Sequence, residues 1–293
     1  MVRFFNFKIP SFSNDNQAVN SPVPPASRTA AAAFVLTFLL NMILIILAPA
    51  AAAADVDSNE AKIIVQKAIN YWRDKSSFMQ AEMQIHRTDF DRTTKLSGWT
   101  EGDERSLVRF TFPSKDAGNA TLSLGDEIWS YSPKTGRVIR IPPSMKSQSW
   151  MGSDFSYQDL ARTDDIVDQY DHTIVGRGVK DGINIYTVNA VPKPDAPVVW
   201  GREELVIRED NIILSHKYFD QGGALVKELR TEEIAPMGGK LYPKRMRMIR
   251  EATPADKAEG KIEAEWTEVI HTEVTFGQPV ADSFFTVQNL QAR

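Results

Sequence analysis

Apolar and polar side chains alternate along most of this chain with a period of two. "FMQAEMQIHR" sends Met79, Ala81, Met83 and Ile85 to one side and Gln80, Glu82, Gln84 and His86 to the other. "RSLVRFTFP" sets Val108, Phe110 and Phe112 against Leu107, Arg109 and Thr111. "NATLSLG", "EIWSYS" and "RVIRIP" follow. Later come "HTIVGRGV", "INIYTVNAV", "EELVIRED", "IILSHKYFD", "ALVKELRTEEI", "YPKRMRMIRE" and "KIEAEWTEVIHTEVTF". Strict alternation predicts strands with one buried face. The joints carry turn residues: Gly125-Asp126, Asp181-Gly182, Asp210-Asn211, Gln221-Gly222-Gly223 and Met237-Gly238-Gly239. Asp-Gly between alternating runs is a hairpin signal. About eleven or twelve strands follow one another with no intervening helices, which predicts an antiparallel meander curved into a barrel or half-barrel.

Two stretches break that rhythm. In "SNEAKIIVQKAINYWRDK", Ala61, Ile64, Val65, Ala68 and Trp72 recur at spacings of three and four, with Lys62, Gln66, Lys67 and Arg73 elsewhere. The spacing predicts a helix with one apolar stripe, capped by Ser58 or Asn59. The second stretch is "KSQSWMGSDFSYQDLA", residues 146–161, a loop that places Trp150, Met151, Phe155, Tyr157 and Leu160 among Ser, Asp and Gln. Such a loop either seals a barrel end or acts as a lid over something that needs covering. "VPKPDAPVVW" predicts a longer loop in the middle of the strand series.

The N-terminus reads as an export signal. Residues 1–28 are polar, with Arg3, Lys8 and Arg28 against Asp15, and an apolar run from Phe34 to Leu47 leads into Ala52-Ala53-Ala54. Those three regions match a secretory signal with a small-residue cleavage site. The expected organisation is a leader over residues 1–54 and one domain over 55–293. The 14-residue run is short for a membrane span of about 20, and an uncleaved anchor is the alternative. Without residues 1–54 the chain holds 31 Lys and Arg against 37 Asp and Glu, a net charge of −6. That balance, with no basic block, argues against nucleic acid as a partner. There are no cysteines, hence no thiol nucleophile, no disulfide staple and no lipidation site at the cleavage point.

Catalytic signatures are absent. The sequence has no Gly-x-Ser-x-Gly elbow, no Walker loop and no dinucleotide-binding glycine pattern. His86, His172, His216 and His271 fall on different predicted strands without metal spacing. "RTDDIVDQYDH" gathers Asp164, Asp165, Asp168 and Asp171, yet lacks the spacing of a calcium loop and reads as a solvated face. No cofactor, metal site or enzymatic residue is expected. The positive signal is bulk: Met79, Met83, Trp99, Phe110, Phe112, Trp129, Tyr131, Tyr186, Tyr218, Met246, Met248 and Trp266 all lie in period-two runs. A barrel of eleven strands is wider than its own side chains fill easily. The surplus predicts a cavity, a plugging helix, or both, and methionines on such a wall adapt to flexible apolar ligands.

The run "IWSYSPKTGRVIRIPPSMKSQSWMGSDFSYQDLA" (128–161) resembles the LolA-like outer-membrane lipoprotein-sorting proteins, in their broader and less characterised branch. Trp150, Met151, Gly152, Ser153, Asp154, Phe155, Tyr157, Asp159 and Leu160 carry the likeness. "LYPKRMRMI" (241–249) and "PVADSFFTVQNL" (279–290) add weaker support. The resemblance implies an incomplete antiparallel barrel of about eleven strands wrapped over one or more helices, with a cavity for acyl chains. It implies a non-enzymatic periplasmic carrier that moves lipids or lipoproteins from an inner-membrane transporter towards an outer-membrane acceptor. Candidate cavity or lid residues are Trp150, Met151, Phe155, Tyr157, Leu160, Met83, Phe110, Phe112, Trp129, Tyr131, Met246 and Met248. The alternatives are an accessory or sensor module docking on a membrane transporter, and a carboxylate-based hydrolase.

Overall fold

A computed structural model describes residues 48–160, 165–252 and 265–291. The chain divides into two units, residues 1–51 and 52–293. The apolar run of the expected leader and Asp164 of the acidic cluster lie outside the described residues. The predicted helix is present as α1 (Ala48–Arg73). It starts upstream of the expected Ser58 or Asn59 cap, because the alanines before them are the strongest helix formers and carry the helix on. The stripe points inward as the spacing requires: Ala61, Val65 and Ala68 are buried, and Ile64 and Trp72 are partly so.

Thirteen strands form one antiparallel sheet. They are β1 (Ser76–His86), β2 (Asp91–Glu101), β3 (Arg105–Phe112), β4 (Ala120–Leu124), β5 (Glu127–Ser132), β6 (Arg137–Arg140), β7 (Tyr170–Lys180), β8 (Ile183–Pro192), β9 (Arg202–Arg208), β10 (Ile213–Phe219), β11 (Leu225–Met237), β12 (Lys240–Arg250) and β13 (Trp266–Phe276). The spatial order is β6-β5-β4-β3-β2-β1-β13-β12-β11-β10-β9-β8-β7. First and last strands pair in the middle, and the sheet stays open between β6 and β7. The expected count of about eleven is therefore low. The strand that alternation misses is β2, "DRTTKLSGWTE", whose outer row is polar apart from Trp99 and whose inner row contains Gly98. Gly98 pairs with Met79 across the ladder, and a Cβ there would stand 2.8 Å from the Met79 methyl. The glycine is there so that Met79 can lie across β2.

The concave face holds two fillings. Helix α1 packs Ala61, Val65, Ala68 and Ile69 onto Val188 and Ala190 of β8 and Leu205 and Ile207 of β9. Residues 141–160, which follow β6, lie as a strap over the other end. The strap buries Trp150 among Ala81, Met83 and Ile85 of β1, Leu96 of β2, and Val108 and Phe110 of β3. On the convex face the C-terminal segment places Phe285 and Leu290 on Leu107, Ala120 and Leu122, with Trp99, Trp129 and Tyr131 beside them. Elsewhere on that face Arg247 pairs with Glu268 across β12 and β13, while Arg250 and Glu265 pair on the cavity side. No helix among the described residues is long and apolar enough to cross a membrane.

Candidate functional site: a cavity under a pinned strap

The strap is held by the residues of the "WMGSDFSYQDL" stretch. Its centre is a tight loop. Trp150 N–H donates to Phe155 O at 2.7 Å, and Ser153 N–H donates to Trp150 O at 2.9 Å. Met151 (φ 53°) and Gly152 (φ 77°) are both left-handed, and a methionine is strained there. The carbonyls this exposes are claimed by two arginines. Arg92 donates to Met151 O at 2.9 Å and Arg87 to Gly152 O at 3.0 Å. Ser149 and Ser153 hydroxyls close the loop onto Ser153 O and Trp150 O.

Each anchor then reaches a different part of the sheet. The Trp150 indole N–H donates to Thr121 Oγ1 of β4 at 3.0 Å, and the ring packs 5.2 Å from Phe110. Asp154 is buried, pairs with Arg87 at 3.0 Å and accepts from Thr267 Oγ1 of β13 at 2.7 Å. Ser156 and Asp159 cap the short helix α2 (Tyr157–Leu160) reciprocally. Asp159 Oδ2 accepts from Ser156 N–H at 2.7 Å, and Ser156 Oγ accepts from Asp159 N–H at 3.3 Å. The same Asp159 oxygen meets Lys227 Nζ of β11 at 2.6 Å.

Between strap, helix and sheet lies a cavity of about 650 Å³. Its apolar walls are Ile69 and Trp72 of α1, Met79, Met83, Leu96, Val108, Met246, Met248 and Val269 of the sheet, and Trp150, Phe155 and Leu160 of the strap. Phe155 touches both the Trp150 cluster and the cluster of Tyr218, Leu229, Met246 and Met248. Trp200, at the end of the predicted long loop, completes that second wall.

The sequence-expected residues divide accordingly. Trp150, Phe155, Leu160, Met83, Met246 and Met248 line the cavity together. Phe110 is buried behind Trp150, and Met151 and Tyr157 pack on the rim, Tyr157 also against Ile128 and Ile141. Phe112, Trp129 and Tyr131 stand elsewhere. A bulge in β3, where Leu96 and Lys95 pair with Phe110 and Phe112, slips the alternation and leaves Phe112 half exposed beneath Lys95. Trp129 and Tyr131 face outward under the C-terminal segment.

The lining also carries paired charges, Arg87–Asp154 and Arg250–Glu265, and a polar wall on β9 and β10. Glu203 of β9 and His216 and Tyr218 of β10 are all buried there. His216 Nε2 lies 2.5 Å from Glu203 Oε2, and Tyr218 Oη lies 3.1 Å from His216 Nδ1 with the rings stacked at 4.2 Å. Tyr170 hydrogen-bonds Glu203 as well. Burial, reinforced by Asp159 and Glu203, pushes the Tyr218 phenol well above its ordinary value, and burial with Glu203 does the same to Tyr170. Both phenols therefore keep their protons. Lys227 Nζ sits over Tyr218 and Trp200, at 4.9 and 5.3 Å from their ring centres. Opposite, His271 is buried edge-on to Tyr242, and burial lowers its pKa to about 4. His172 is also lowered by burial, its Nε2 2.8 Å from Ile166 O. Among the described residues no group of three or more His, Cys, Asp or Glu side chains could hold a metal ion.

A family model described as an uncharacterized protein matches residues 102–292. The chain belongs to this family, DUF1329, whose fold is LolA-like. A DUF1329 family protein from Desulfovibrio piger ATCC 29098 is 25% identical, with a TM-score of 0.70 over 80% of this chain and 99% of that one. A domain from Vibrio parahaemolyticus named for outer membrane lipoprotein sorting is 22% identical, with a TM-score of 0.68 over 80% and 99% of the two chains. The LolA superfamily protein NE2245 from Nitrosomonas europaea is 18% identical, with a TM-score of 0.63 over 78% and 98%. At that identity the last two share the fold. No curated protein matches the sequence. The family match includes the strap and all of β3–β13.

Proposed function

We propose that this DUF1329 protein is a periplasmic carrier that binds acyl chains of lipids or lipoproteins in the cavity under the strap and carries them between membranes towards the outer membrane. Binding, not catalysis, is its task. The observation that carries the reading is the 650 Å³ chamber with methionine and aromatic walls. Moving a chain of ~16 carbons through water costs on the order of 10 kcal/mol at about 0.8 kcal/mol per methylene. A sheath with an apolar inside removes that cost. Release then needs only an acceptor that binds the cargo better. A methylene is close to a water molecule in size, so at about 30 Å³ each the chamber holds on the order of 20. That is room for one long chain with the strap in place, and cargo with several chains requires the strap to move.

The test is direct. Purified protein is extracted with organic solvent and the extract examined by mass spectrometry, and the delipidated protein is titrated with the fluorescent apolar probe N-phenyl-1-naphthylamine. Co-purifying lipid and saturable probe binding are expected. Protein that carries no lipid and does not bind the probe overturns the carrier reading.

A further inference from the structure

The polar wall of the cavity has a sign. Glu203, His216, Tyr218 and Tyr170 are joined in one hydrogen-bonded chain, and the ammonium beside them among the described residues, Lys227, is held at 2.6 Å by Asp159. However the proton between Glu203 and His216 is shared, this chain sums to −1 or zero. Lys227 and Asp159 cancel. Two arginines of the same lining are likewise matched, Arg87 by Asp154 and Arg250 by Glu265. With the imidazole neutral, each donor is already spent: Tyr218 O–H on His216 Nδ1, and His216 Nε2–H and Tyr170 O–H on Glu203. What faces the cavity is acceptor capacity, the carboxylate and the Tyr218 oxygen.

An amphiphile lying with its tail on the methionine wall would bring its head to this place. We propose that the wall formed by Glu203, His216 and Tyr218 is a head-group site for hydrogen-bond donors, so that the cavity selects single amphiphiles ending in an amine or a hydroxyl over those ending in a carboxylate. This rests on the carrier reading and narrows its ligand. A carboxylate could settle here only by taking Lys227 from Asp159, which would unpin the strap. A buried, imperfectly paired anion disfavours a like-charged ligand by more than it costs a neutral one.

The experiment compares dodecylamine, dodecanol and laurate as competitors of N-phenyl-1-naphthylamine on the delipidated full chain at pH 8. Each competitor carries twelve carbons, and the head is what distinguishes them. The amine and the alcohol are expected to displace the probe at concentrations at least about tenfold lower than laurate. Glu203→Gln keeps the shape and removes the charge, and it should erase the advantage of the amine. Tyr218→Phe should weaken the alcohol and serves as the second variant if Glu203→Gln does not fold. Laurate competing as well as the amine in the native chain overturns the inference, as does an unchanged order in the folded variants. Either result leaves the carrier reading standing, because laurate would still have entered the cavity. Failure of the probe itself to bind is the separate result that removes both.

Discussion

Asp159 Oδ2 and Lys227 Nζ lie 2.6 Å apart, joining the strap to β11 across 68 residues of sequence, with both side chains largely shielded from water. The same carboxylate caps α2, so one group sets both the local fold of the strap and its attachment to the sheet. Removing one member of a shielded pair strands the other. Lys227→Met is expected to cost about 3–5 kcal/mol of stability and to speed probe dissociation. The double variant Lys227→Met/Asp159→Asn should be less destabilised than the two single changes added together. Urea titration and stopped-flow release measure both. A strictly additive double variant would show that the pair does not hold the strap.

Trp150 fills the space over Phe110 and spends its indole N–H on Thr121. Trp150→Phe keeps most of the apolar contact and is expected to cost about 1–3 kcal/mol, mainly from leaving Thr121 short of a partner. Trp150→Ala should cost about 3–5 kcal/mol. Thermal unfolding of the two variants separates these contributions.

Val269 lines the cavity from β13 without belonging to the tightly packed core. Val269→Trp should occupy the chamber from within. Probe affinity is expected to fall at least about tenfold, while the urea midpoint stays close to that of the native chain. Unchanged probe binding would place the probe outside this cavity.

His271 gives the fold a pH dependence with a definite sign. Burial lowers its pKa to about 4 in the folded chain, against about 6.5 when unfolded. Between those values the unfolded chain holds the extra proton, so stability is full above pH 6.5 and falls as the pH drops towards 4. The loss is on the order of 3 kcal/mol. His172, also lowered by burial, adds in the same direction. Urea titrations at pH 7.5, 6 and 5 should show the decline, and His271→Gln should flatten it.

Much of the architecture is legible in the sequence because period-two rows seldom have another reading. Met83 and Ile85 of β1, and Val108 and Phe110 of β3, point inward as the pattern requires. The helix stripe does likewise. What the pattern hides is physical. β2 does not look like a strand because its inner row spends a position on Gly98 to admit Met79. Phe112 keeps the parity of Phe110 on paper, but a bulge intervenes. Trp129 and Tyr131 are large and regularly spaced for a different reason: the convex face at that end has its own cover, Phe285 and Leu290. The polar wall was readable and goes unread. Glu203 shares parity with Leu205 and Ile207, and Lys227 with Leu229, so charged groups stand on rows that are otherwise apolar. A charge on an inward row signals a site more sharply than another aromatic does.

The gap between β6 and β7 has a mechanical consequence. Among the described residues the two outermost strands are not hydrogen-bonded to each other, and residues 141–160, which lie between them in the chain, roof the chamber. Like a drawstring through the hem of a bag, they tie the width of the mouth to the height of the roof. Spreading the β6 margin of the sheet would pull on Trp150, Asp154 and Asp159 together.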